Sequence, residues 1–161
     1  MRKALIGIGS NIGNKKGHID SAIEALNNIP TVTVNRISSI YETEPWGYVN
    51  QENFYNAVIE VQTTLSASAL LGVCLGIEAG IGRVRDVKNG PRVLDLDLLL
   101  FEGCESTTAE LTLPHPRMFE RDFVLVPLKD LYPDMEIYNK YHLKHYYDML
   151  EEHNIVKKLE F

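Results

Sequence analysis

The sequence predicts an α+β fold in which helices cover one face of an antiparallel sheet. Three observations lead to this fold class. Apolar residues follow strand and helix spacing in the order strand, helix, strand, strand, helix, strand over the first two thirds of the chain. The hydrophobic fraction of 45% and the charged fraction of 24% are those of a globular protein. The length of 161 residues allows one hydrophobic core, so we expect a single domain over residues 1–161.

A strand over residues 3–9 and a helix over residues 16–28 begin this pattern. The strand is an apolar run bounded by glycines. The helix has apolar residues at helical spacing, and Pro30 prevents its continuation because proline lacks a backbone donor. The apolar positions of this helix are Ile19, Ala22, Ile23 and Leu26.

Two neighbouring strands come next. β-Branched residues predict one strand over residues 32–41, and residues 54–61 are predicted to pair with it in the antiparallel direction. The loop over residues 42–53 that joins them is too long for a tight hairpin. We therefore interpret it as a functional loop.

A helix over residues 67–81 and a strand over residues 93–101 complete the pattern. The strand is the most apolar segment of the chain, so we expect it to lie deep in the sheet. The order of elements is that of the ferredoxin-like βαββαβ arrangement. The carboxyl-terminal third adds predicted helical segments around residues 123–131 and 143–159.

Charge and composition exclude several functional classes. The net charge of −6 argues against broad nucleic-acid binding, which requires a cationic surface. No run of about 18 apolar residues is present, so we expect neither a membrane span nor a signal peptide. Cys74 and Cys104 lack the spacing of a redox or zinc site. We expect a cytoplasmic monomer.

A cationic segment interrupts this acidic chain between residues 83 and 92 and indicates a small anionic ligand. Its basic residues are Arg83, Arg85, Lys88 and Arg92. The arginines are the phosphate-binding candidates, because the guanidinium fork matches phosphate oxygens and keeps its charge. Arg92 follows Pro91, whose fixed φ helps to direct the chain into the next strand. The alternative is a solvated charged loop.

Asp95 and Asp97 lie on the strand over residues 93–101. Side chains alternate along a strand, so the two carboxylates share one face at a spacing of roughly 7 Å. Carboxylates this close in an apolar strand repel each other unless a cation lies between them. Mg²⁺ prefers one or two carboxylates together with waters and substrate phosphates, and two ions would bridge a polyphosphate. The alternative is that both residues bond a neighbouring turn or Arg92.

Three further polar residues are candidates for the same site. His115 lies between two prolines, which restrict the backbone and present the ring. The ring either contacts a phosphate or has a structural role. Arg121 follows a few residues later and is a second contact for the same anion. Glu78 lies at the edge of the buried face of its helix, so it needs a partner. That partner is either an arginine of the following loop or a ligand hydroxyl.

Six short motifs together resemble the 6-hydroxymethyl-7,8-dihydropterin pyrophosphokinase family. They occur in the family's order over nearly the whole chain, and the segment over residues 90–97 is the most specific. The motifs are Gly9-Ser10-Asn11, Glu42-Thr43-Glu44-Pro45, Asn56-Ala57, Gly82-Arg83-Val84-Arg85, Gly90-Pro91-Arg92-Val93-Leu94-Asp95-Leu96-Asp97 and Pro114-His115-Pro116.

The resemblance implies a ferredoxin-like fold and a folate-pathway enzyme that transfers the diphosphate of ATP to the hydroxymethyl oxygen of the pterin, releasing AMP. It implies that Asp95 and Asp97 hold two Mg²⁺ ions, and that Arg83 and Arg92 act on the phosphates during transfer. The positions that it assigns to ATP are Glu78, Arg85, Arg92, Leu98, Leu111, Thr112, His115 and Arg121. Those that it assigns to the pterin are Thr43, Pro45, Trp46, Phe54, Asn56 and Phe123.

The chemistry of the pterin positions agrees with this assignment. A flat heterocycle favours aromatic faces such as Phe54 and Phe123, and its polar edge favours a fixed amide such as Asn56. Without the resemblance, both phenylalanines would be interpreted as core residues. The chain departs from some family members at four positions, where it has Phe54, Leu75, Asn89 and Glu110 instead of tyrosine, glutamine, tryptophan and arginine.

Two other functional classes remain as alternatives. A metal-dependent phosphohydrolase or nucleotidyltransferase would use the same carboxylates and arginines without a pterin pocket. A ferredoxin-like RNA-binding module would display aromatic residues on its sheet, although the acidic charge argues against it. The phosphate-binding motif GxxxxGK[ST] is absent from the sequence, which excludes a conventional P-loop kinase.

Overall fold

The computed structural model describes residues 1–45, 50–82, 93–150 and 154–161. The sheet and helices of the βαββαβ core come first in the chain, and shorter elements follow. The core elements are β1 (Arg2–Ser10), α1 (Lys15–Asn27), β2 (Val32–Ile37), β3 (Ile40–Thr43), β4 (Phe54–Thr63), α2 (Ala67–Ile81) and β5 (Asp95–Phe101). The later elements are β6 (Ser106–Thr107), β7 (Thr112–Leu113), a 3₁₀ turn (Met118–Glu120), α3 (Asp122–Leu131), β8 (Glu136–Ile137), β9 (Tyr141–His142), α4 (Lys144–Asp148) and β10 (Ile155–Leu159).

The main sheet has the strand order β10, β3, β4, β1, β5, and β2 pairs with β4 further along the same edge as β3. Every pairing in this sheet is antiparallel. β1 therefore lies between β4 and β5, as the ferredoxin-like arrangement requires. The predicted α+β fold class is confirmed.

Local sequence signals set the ends of the two core helices. The Asn14 side chain accepts a hydrogen bond from the Gly17 backbone at the start of α1, and Ser66 caps α2 in the same way through Ala69. Gly82 ends α2 in the left-handed region with φ 95°, where glycine has no steric penalty. α2 has the predicted bounds. No helix in the described ranges combines the length and hydropathy needed to cross a bilayer.

Two apolar clusters cover the two faces of the sheet. α1 and α2 pack on one face through fully buried residues such as Leu26, Leu70 and Cys74. α3 packs on the opposite face, where Leu125 and Leu128 contact the cluster that includes Leu5 of β1. The two core helices, α1 and α2, lie on one face of the sheet as expected. The helix α3 of the carboxyl-terminal third covers the other face.

The prediction of one strand over residues 32–41 is wrong, because the chain forms β2 and β3 with a break between them. Ser38 exchanges hydrogen bonds with Val58 through its backbone N–H and its side-chain Oγ, both at 2.9 Å. The hydroxyl replaces a backbone acceptor there, and the register with β4 shifts by one residue across the break. Both strands still pair with β4, so the predicted neighbour is correct.

The prediction of helix over residues 143–159 is wrong in its second half. α4 occupies only Lys144–Asp148, and Ile155–Leu159 forms β10, which pairs with β3. Without β10, the edge of β3 would expose unpaired backbone groups. The β-branched residues Ile155 and Val156 suit such an edge better than a helix.

β5 does not lie deep in the sheet as predicted. In the described part of the chain it pairs with β1 alone within the main sheet and forms its outer edge. Its apolar sequence reflects burial on both faces: Leu96 and Leu98 belong to the cluster under α1 and α2, whereas Leu99 and Leu100 belong to the cluster under α3. A bulge opposite Leu5 and Ile6 allows the two consecutive leucines to face the same cluster.

Candidate active site

Two clefts meet at Asp95 and Asp97, which line both of them. We name the clefts by their linings. The β4 cleft is lined by Gly7, Ile8, Gly9, Thr43, Glu44, Phe54, Asn56, Ala57, Asp95, Asp97, Arg121, Phe123 and Val124. The α2 cleft is lined by Leu71, Leu75, Glu78, Asp95, Leu96, Asp97, Leu98, Glu110, Leu111, Thr112, His115 and Pro116.

Two glycines of β1 form the base of the β4 cleft. Gly9 is paired with Asn56 on one side and with Asp95 on the other, and Gly7 is paired with Asp97. A Cβ atom on Gly9 would lie 2.5 Å from Oδ1 of Asn56, so any side chain there would displace the amide. Glycine inside a strand often marks a close approach of a ligand or another group. Here the two glycines leave a shallow depression between the Asn56 amide and the carboxylates of Asp95 and Asp97.

Asn56 has a fixed orientation at one end of this depression. Its Nδ2 donates a hydrogen bond of 2.8 Å to Oγ1 of Thr43, and Thr43 is 1% exposed. With the amide in this orientation, Oδ1 faces Gly9. A partly buried amide held in this way can read the donor and acceptor pattern of a planar ligand edge.

The aromatic residues and Arg121 form the other side of the β4 cleft. Phe54 and Phe123 are both partly buried and line the cleft. The guanidinium of Arg121 lies 5.3 Å from the centre of the Phe123 ring, within cation–π range. The cleft thus combines aromatic faces with a cation near its carboxylates.

Arg121 is also the described cation closest to the aspartate pair. Its Nη1 lies 3.9 Å from Oδ2 of Asp97, and its side chain is 15% exposed. Burial lowers the pKa of Arg121, and the neighbouring carboxylates Asp97 and Asp95 oppose that shift. The expectation that something cationic offsets the aspartates is thus met in part by this arginine.

Glu78 is 2% exposed and connects α2 to the aspartate strand. Its Oε2 accepts a hydrogen bond of 2.7 Å from the backbone N–H of Leu96, the residue between the two aspartates. The partners predicted from the sequence, an arginine or a ligand hydroxyl, did not include this backbone group. Glu78 therefore helps to set the position of β5 as well as lining the α2 cleft.

His115 lines the α2 cleft in a defined tautomer. Its backbone N–H donates to the carbonyl of Leu99 at 2.9 Å, and its Nδ1 accepts from the backbone N–H of Arg117 at 3.2 Å. The neutral ring therefore carries its proton on Nε2. Burial lowers the pKa of His115, with further lowering by Arg121 and Arg117, so the neutral form is favoured.

The donor set at Asp95 and Asp97 suits Mg²⁺ and does not suit a metal that takes all its ligands from protein. The described residues include no group of three or more His, Cys, Asp or Glu side chains placed to hold a metal ion. Mg²⁺ usually takes one or two carboxylates and completes its shell with water and substrate phosphate. Two partly buried carboxylates at the junction of two clefts fit that requirement.

Most of the predicted site residues line the two clefts. One of them lies in a different cleft from the one expected. Arg121, which the resemblance assigned to ATP, lines the β4 cleft with the pterin positions. Pro45 is partly buried next to that cleft and is not part of its lining. The remaining predicted residues, Trp46, Arg83, Arg85 and Arg92, lie outside the described residues.

Several lining residues were missed in the sequence analysis. The spacing of Gly7 and Gly9 inside a strand was a usable signal, because alternation puts both on one face. Ile8, Ala57 and Val124 gave no signal that distinguishes them from core residues. The remaining missed residues were Glu44, Leu71, Leu96 and Pro116, and Leu75 and Glu110 had been noted only as departures.

Comparisons with known proteins agree on one family. A family model described as 7,8-dihydro-6-hydroxymethylpterin-pyrophosphokinase matches residues 5–133, a range that ends before β10. The 2-amino-4-hydroxy-6-hydroxymethyldihydropteridine pyrophosphokinase of Methylorubrum extorquens is 45% identical over 137 residues, which are 85% of this chain and 87% of the relative. The Bacillus subtilis protein of the same name is 44% identical over 133 residues, with 83% and 80% covered.

A solved structure shows the same fold. The crystal structure of Plasmodium falciparum HPPK-DHPS with SDX-DHP aligns with a TM-score of 0.62 at 16% identity. The alignment covers 92% of this chain and 43% of the solved chain, so this chain spans less than half of that protein. At this identity the likeness concerns the fold alone.

Proposed function

Because the chain belongs to the 7,8-dihydro-6-hydroxymethylpterin-pyrophosphokinase family and is a pyrophosphokinase of folate biosynthesis, we propose that it transfers the β,γ-diphosphate of ATP to the hydroxymethyl oxygen of 6-hydroxymethyl-7,8-dihydropterin. The single observation that carries this proposal is the meeting of two clefts at Asp95 and Asp97. A transfer between two substrates requires adjoining sites, and the carboxylates lie where they join. Neither a hydrolase nor an RNA-binding module needs this arrangement.

The β4 cleft is the proposed pterin site. The ring stacks between Phe54 and Phe123, and its hydrogen-bonding edge faces the amide of Asn56, which Thr43 orients. The absence of side chains on Gly7 and Gly9 gives a flat ring room beside the sheet. Pro45 and Trp46 are assigned to this site by the family resemblance.

The α2 cleft is the proposed nucleotide site. Leu98, Leu111 and Thr112 contact the adenine and ribose, and Glu78 is available near them while it holds Leu96. His115 donates its Nε2 proton to a phosphate oxygen, and Arg121 contacts the same phosphates from the side of the β4 cleft. Arg85 and Arg92 complete the phosphate contacts in this proposal on the basis of their motifs.

Asp95 and Asp97 are the proposed ligands of two Mg²⁺ ions that accompany ATP. When bound, the ions would offset negative charge on the phosphates and align the diphosphate between the two clefts. The two carboxylates share one face of β5 because they are two residues apart, and Glu78 fixes the backbone between them. The protein's contribution is thus to hold both oxygen donors rigidly.

In the proposed reaction the hydroxymethyl oxygen attacks the β-phosphorus of ATP in line. The bond from that phosphorus to the α,β-bridging oxygen breaks, AMP leaves with the bridging oxygen, and the hydroxyl proton is lost to solvent. No protein nucleophile is needed, because phosphoryl transfer depends on positioning and charge stabilisation. Arg83 and Arg92 are assigned to the charge that develops on the attacked group and on AMP.

The remaining expectations concern partners and cellular location. We propose a monomer that acts on small substrates in the cytoplasm and does not bind nucleic acid. The net charge of −6 supports the last point, since nucleic-acid binding requires a cationic surface.

Incubation with ATP, Mg²⁺ and hydroxymethyldihydropterin tests the proposed function. AMP and pterin diphosphate should form in equal amounts, and neither should form when the pterin is omitted. ADP as the product, or phosphate release independent of the pterin, would instead support a hydrolase or another kinase. The Mg²⁺ requirement is tested in the same assay by chelation and re-addition of the ion.

A further inference from the structure

The backbone of Asn154 joins two sides of the β4 cleft. Its N–H donates a hydrogen bond to Oδ2 of Asp122, and its carbonyl accepts one of 2.7 Å from the N–H of Glu44. Asp122 begins α3, and Glu44 directly follows β3. The segment just before β10 therefore links the start of a helix to the end of a strand.

The neighbours of these two residues line the cleft. Asp122 lies between Arg121 and Phe123 in the chain, and Glu44 follows Thr43. Arg121, Phe123, Thr43 and Glu44 are all part of the cleft lining, whereas Asp122 and Asn154 are not. A shift of either linked segment would change the spacing between the aromatic side of the cleft and the side that carries the amide.

β3 needs this link because it makes few pairings with β4. β3 has four residues and pairs with β4 at only three residue pairs, from Tyr41 to Thr43. β10 pairs along the opposite edge and includes a partner for Thr43, namely Ile155. Without β10, β3 would be a short edge strand, and Thr43 would lose the backbone support that keeps its hydroxyl on Asn56.

Asp122 is suited to this linking role and has no other evident function. Its side chain is 3% exposed, and Oδ1 has no hydrogen-bond partner in the ranges that the structure describes. A buried carboxylate with one unsatisfied oxygen depends strongly on the donor that remains. The positive end of the α3 dipole also favours a carboxylate at this position.

We propose that Asp122 and the backbone of Asn154 are positioning groups for the pterin, which rests on the proposed function of the β4 cleft. The carboxyl-terminal strand then determines pterin affinity although it lies beyond the residues matched by the family model. Nucleotide binding depends on it less, because the α2 cleft contains none of the linked segments and Arg121 is the proposed nucleotide contact that lies next to Asp122.

Two matched pairs of variants test this inference. Asn154→Pro removes the N–H donor and keeps the carbonyl, whereas Asn154→Ala keeps both backbone groups. Asp122→Ala removes the acceptor, whereas Asp122→Asn retains an oxygen that can accept. For each variant the KM for pterin, the KM for ATP and kcat are measured by AMP formation, and the melting temperature is measured separately.

Asn154→Pro and Asp122→Ala should raise the pterin KM about tenfold, the equivalent of one lost hydrogen bond to a charged group. The ATP KM should rise less than the pterin KM, because Arg121 is the proposed nucleotide contact next to Asp122. Asn154→Ala should resemble the parent protein, and Asp122→Asn should recover part of the loss. An unchanged pterin KM in both disruptive variants would overturn the inference, as would equal rises of both KM values that follow the melting temperature.

If Asp122→Ala does not fold, the Asn154 pair decides the outcome alone. A parent protein that makes no AMP with pterin would refute the proposed function itself, and this result is visible before any variant is compared.

Discussion

Replacing Gly9 with alanine should selectively weaken pterin binding. The added Cβ would lie 2.5 Å from Oδ1 of Asn56, about 0.9 Å short of the 3.4 Å at which ordinary contact begins. The Asn56 amide is the end of a short side chain, so it can turn away, but it then loses its 2.8 Å hydrogen bond to Thr43. The strand itself need not move.

The expected loss of stability is small. A lost hydrogen bond costs about 0.5–1.5 kcal/mol, and the reduced entropy of the unfolded chain on replacing glycine with alanine returns about 0.4–1 kcal/mol. The free energy of unfolding should therefore fall by less than about 1 kcal/mol. The displaced amide should cost the pterin one or two hydrogen bonds, which raises its KM roughly 10- to 100-fold.

Gly7→Ala is the matched control on the same face of the same strand. Its Cβ would meet the Leu99 side chain at 3.6 Å, an ordinary contact, and leaves Asn56 in place. Any rise in its pterin KM therefore reflects only the methyl group added to the base of the cleft and should be smaller than the rise with Gly9→Ala. This variant should be as stable as the parent or slightly more stable. Urea unfolding and steady-state kinetics compare the two. Equal pterin KM values for the two variants, or a rise in the ATP KM with Gly9→Ala, would refute the reasoning.

Three further predictions concern Glu78, His115 and Cys74. Glu78→Ala should lower the free energy of unfolding by about 1–3 kcal/mol in urea titrations, because the Leu96 N–H loses its acceptor, and Glu78→Gln should lose less. Because burial lowers the pKa of His115 below 6.5, the unfolded chain binds more protons in mildly acidic solution, and stability should fall as the pH decreases below about 6.5. His115→Gln should flatten that dependence, and an unchanged slope would contradict it. Since burial raises the pKa of the Cys74 thiol to about 12, iodoacetamide should modify Cys104 before Cys74 in the native protein, as peptide mass analysis would show.

The order of the core elements followed from the sequence because each core element has a strong local signal. α2 is an example: Ser66 caps its start, Gly82 ends it, and its apolar residues recur at helical spacing between them. Such signals depend only on neighbours in the chain. They predict an element without any knowledge of what it packs against.

The errors arose where tertiary contacts decide the structure. The break at Ser38 depends on its hydroxyl reaching Val58, and the strand at Ile155–Leu159 depends on the open edge of β3. The apolar run of β5 was interpreted as a central strand, although burial under two helical layers produces the same pattern at an edge. None of these contacts has a signature within a short window of sequence.

The candidate site shows the same difference between features with a sequence signal and features that depend on tertiary contacts. Asp95 and Asp97 were predicted from residue type and alternation and Asn56 from the family resemblance, and the structure places all three beside Gly7 and Gly9 of β1. The hydrogen bond from the Leu96 backbone to Glu78 joins residues 18 positions apart. The hydrogen bond from the Asn154 backbone to Asp122 joins residues 32 positions apart. Such contacts require knowledge of the fold before they can be proposed.

Metal counting with a nucleotide analogue tests most directly whether the aspartate pair holds the metal ions. Mn²⁺ in place of Mg²⁺, with a nonhydrolysable ATP analogue, allows bound ions to be counted by electron paramagnetic resonance. The parent protein should bind two ions per chain, and a variant carrying Asp95→Asn and Asp97→Asn should bind none beyond those of the free nucleotide. Two ions retained by the folded double variant would contradict the account.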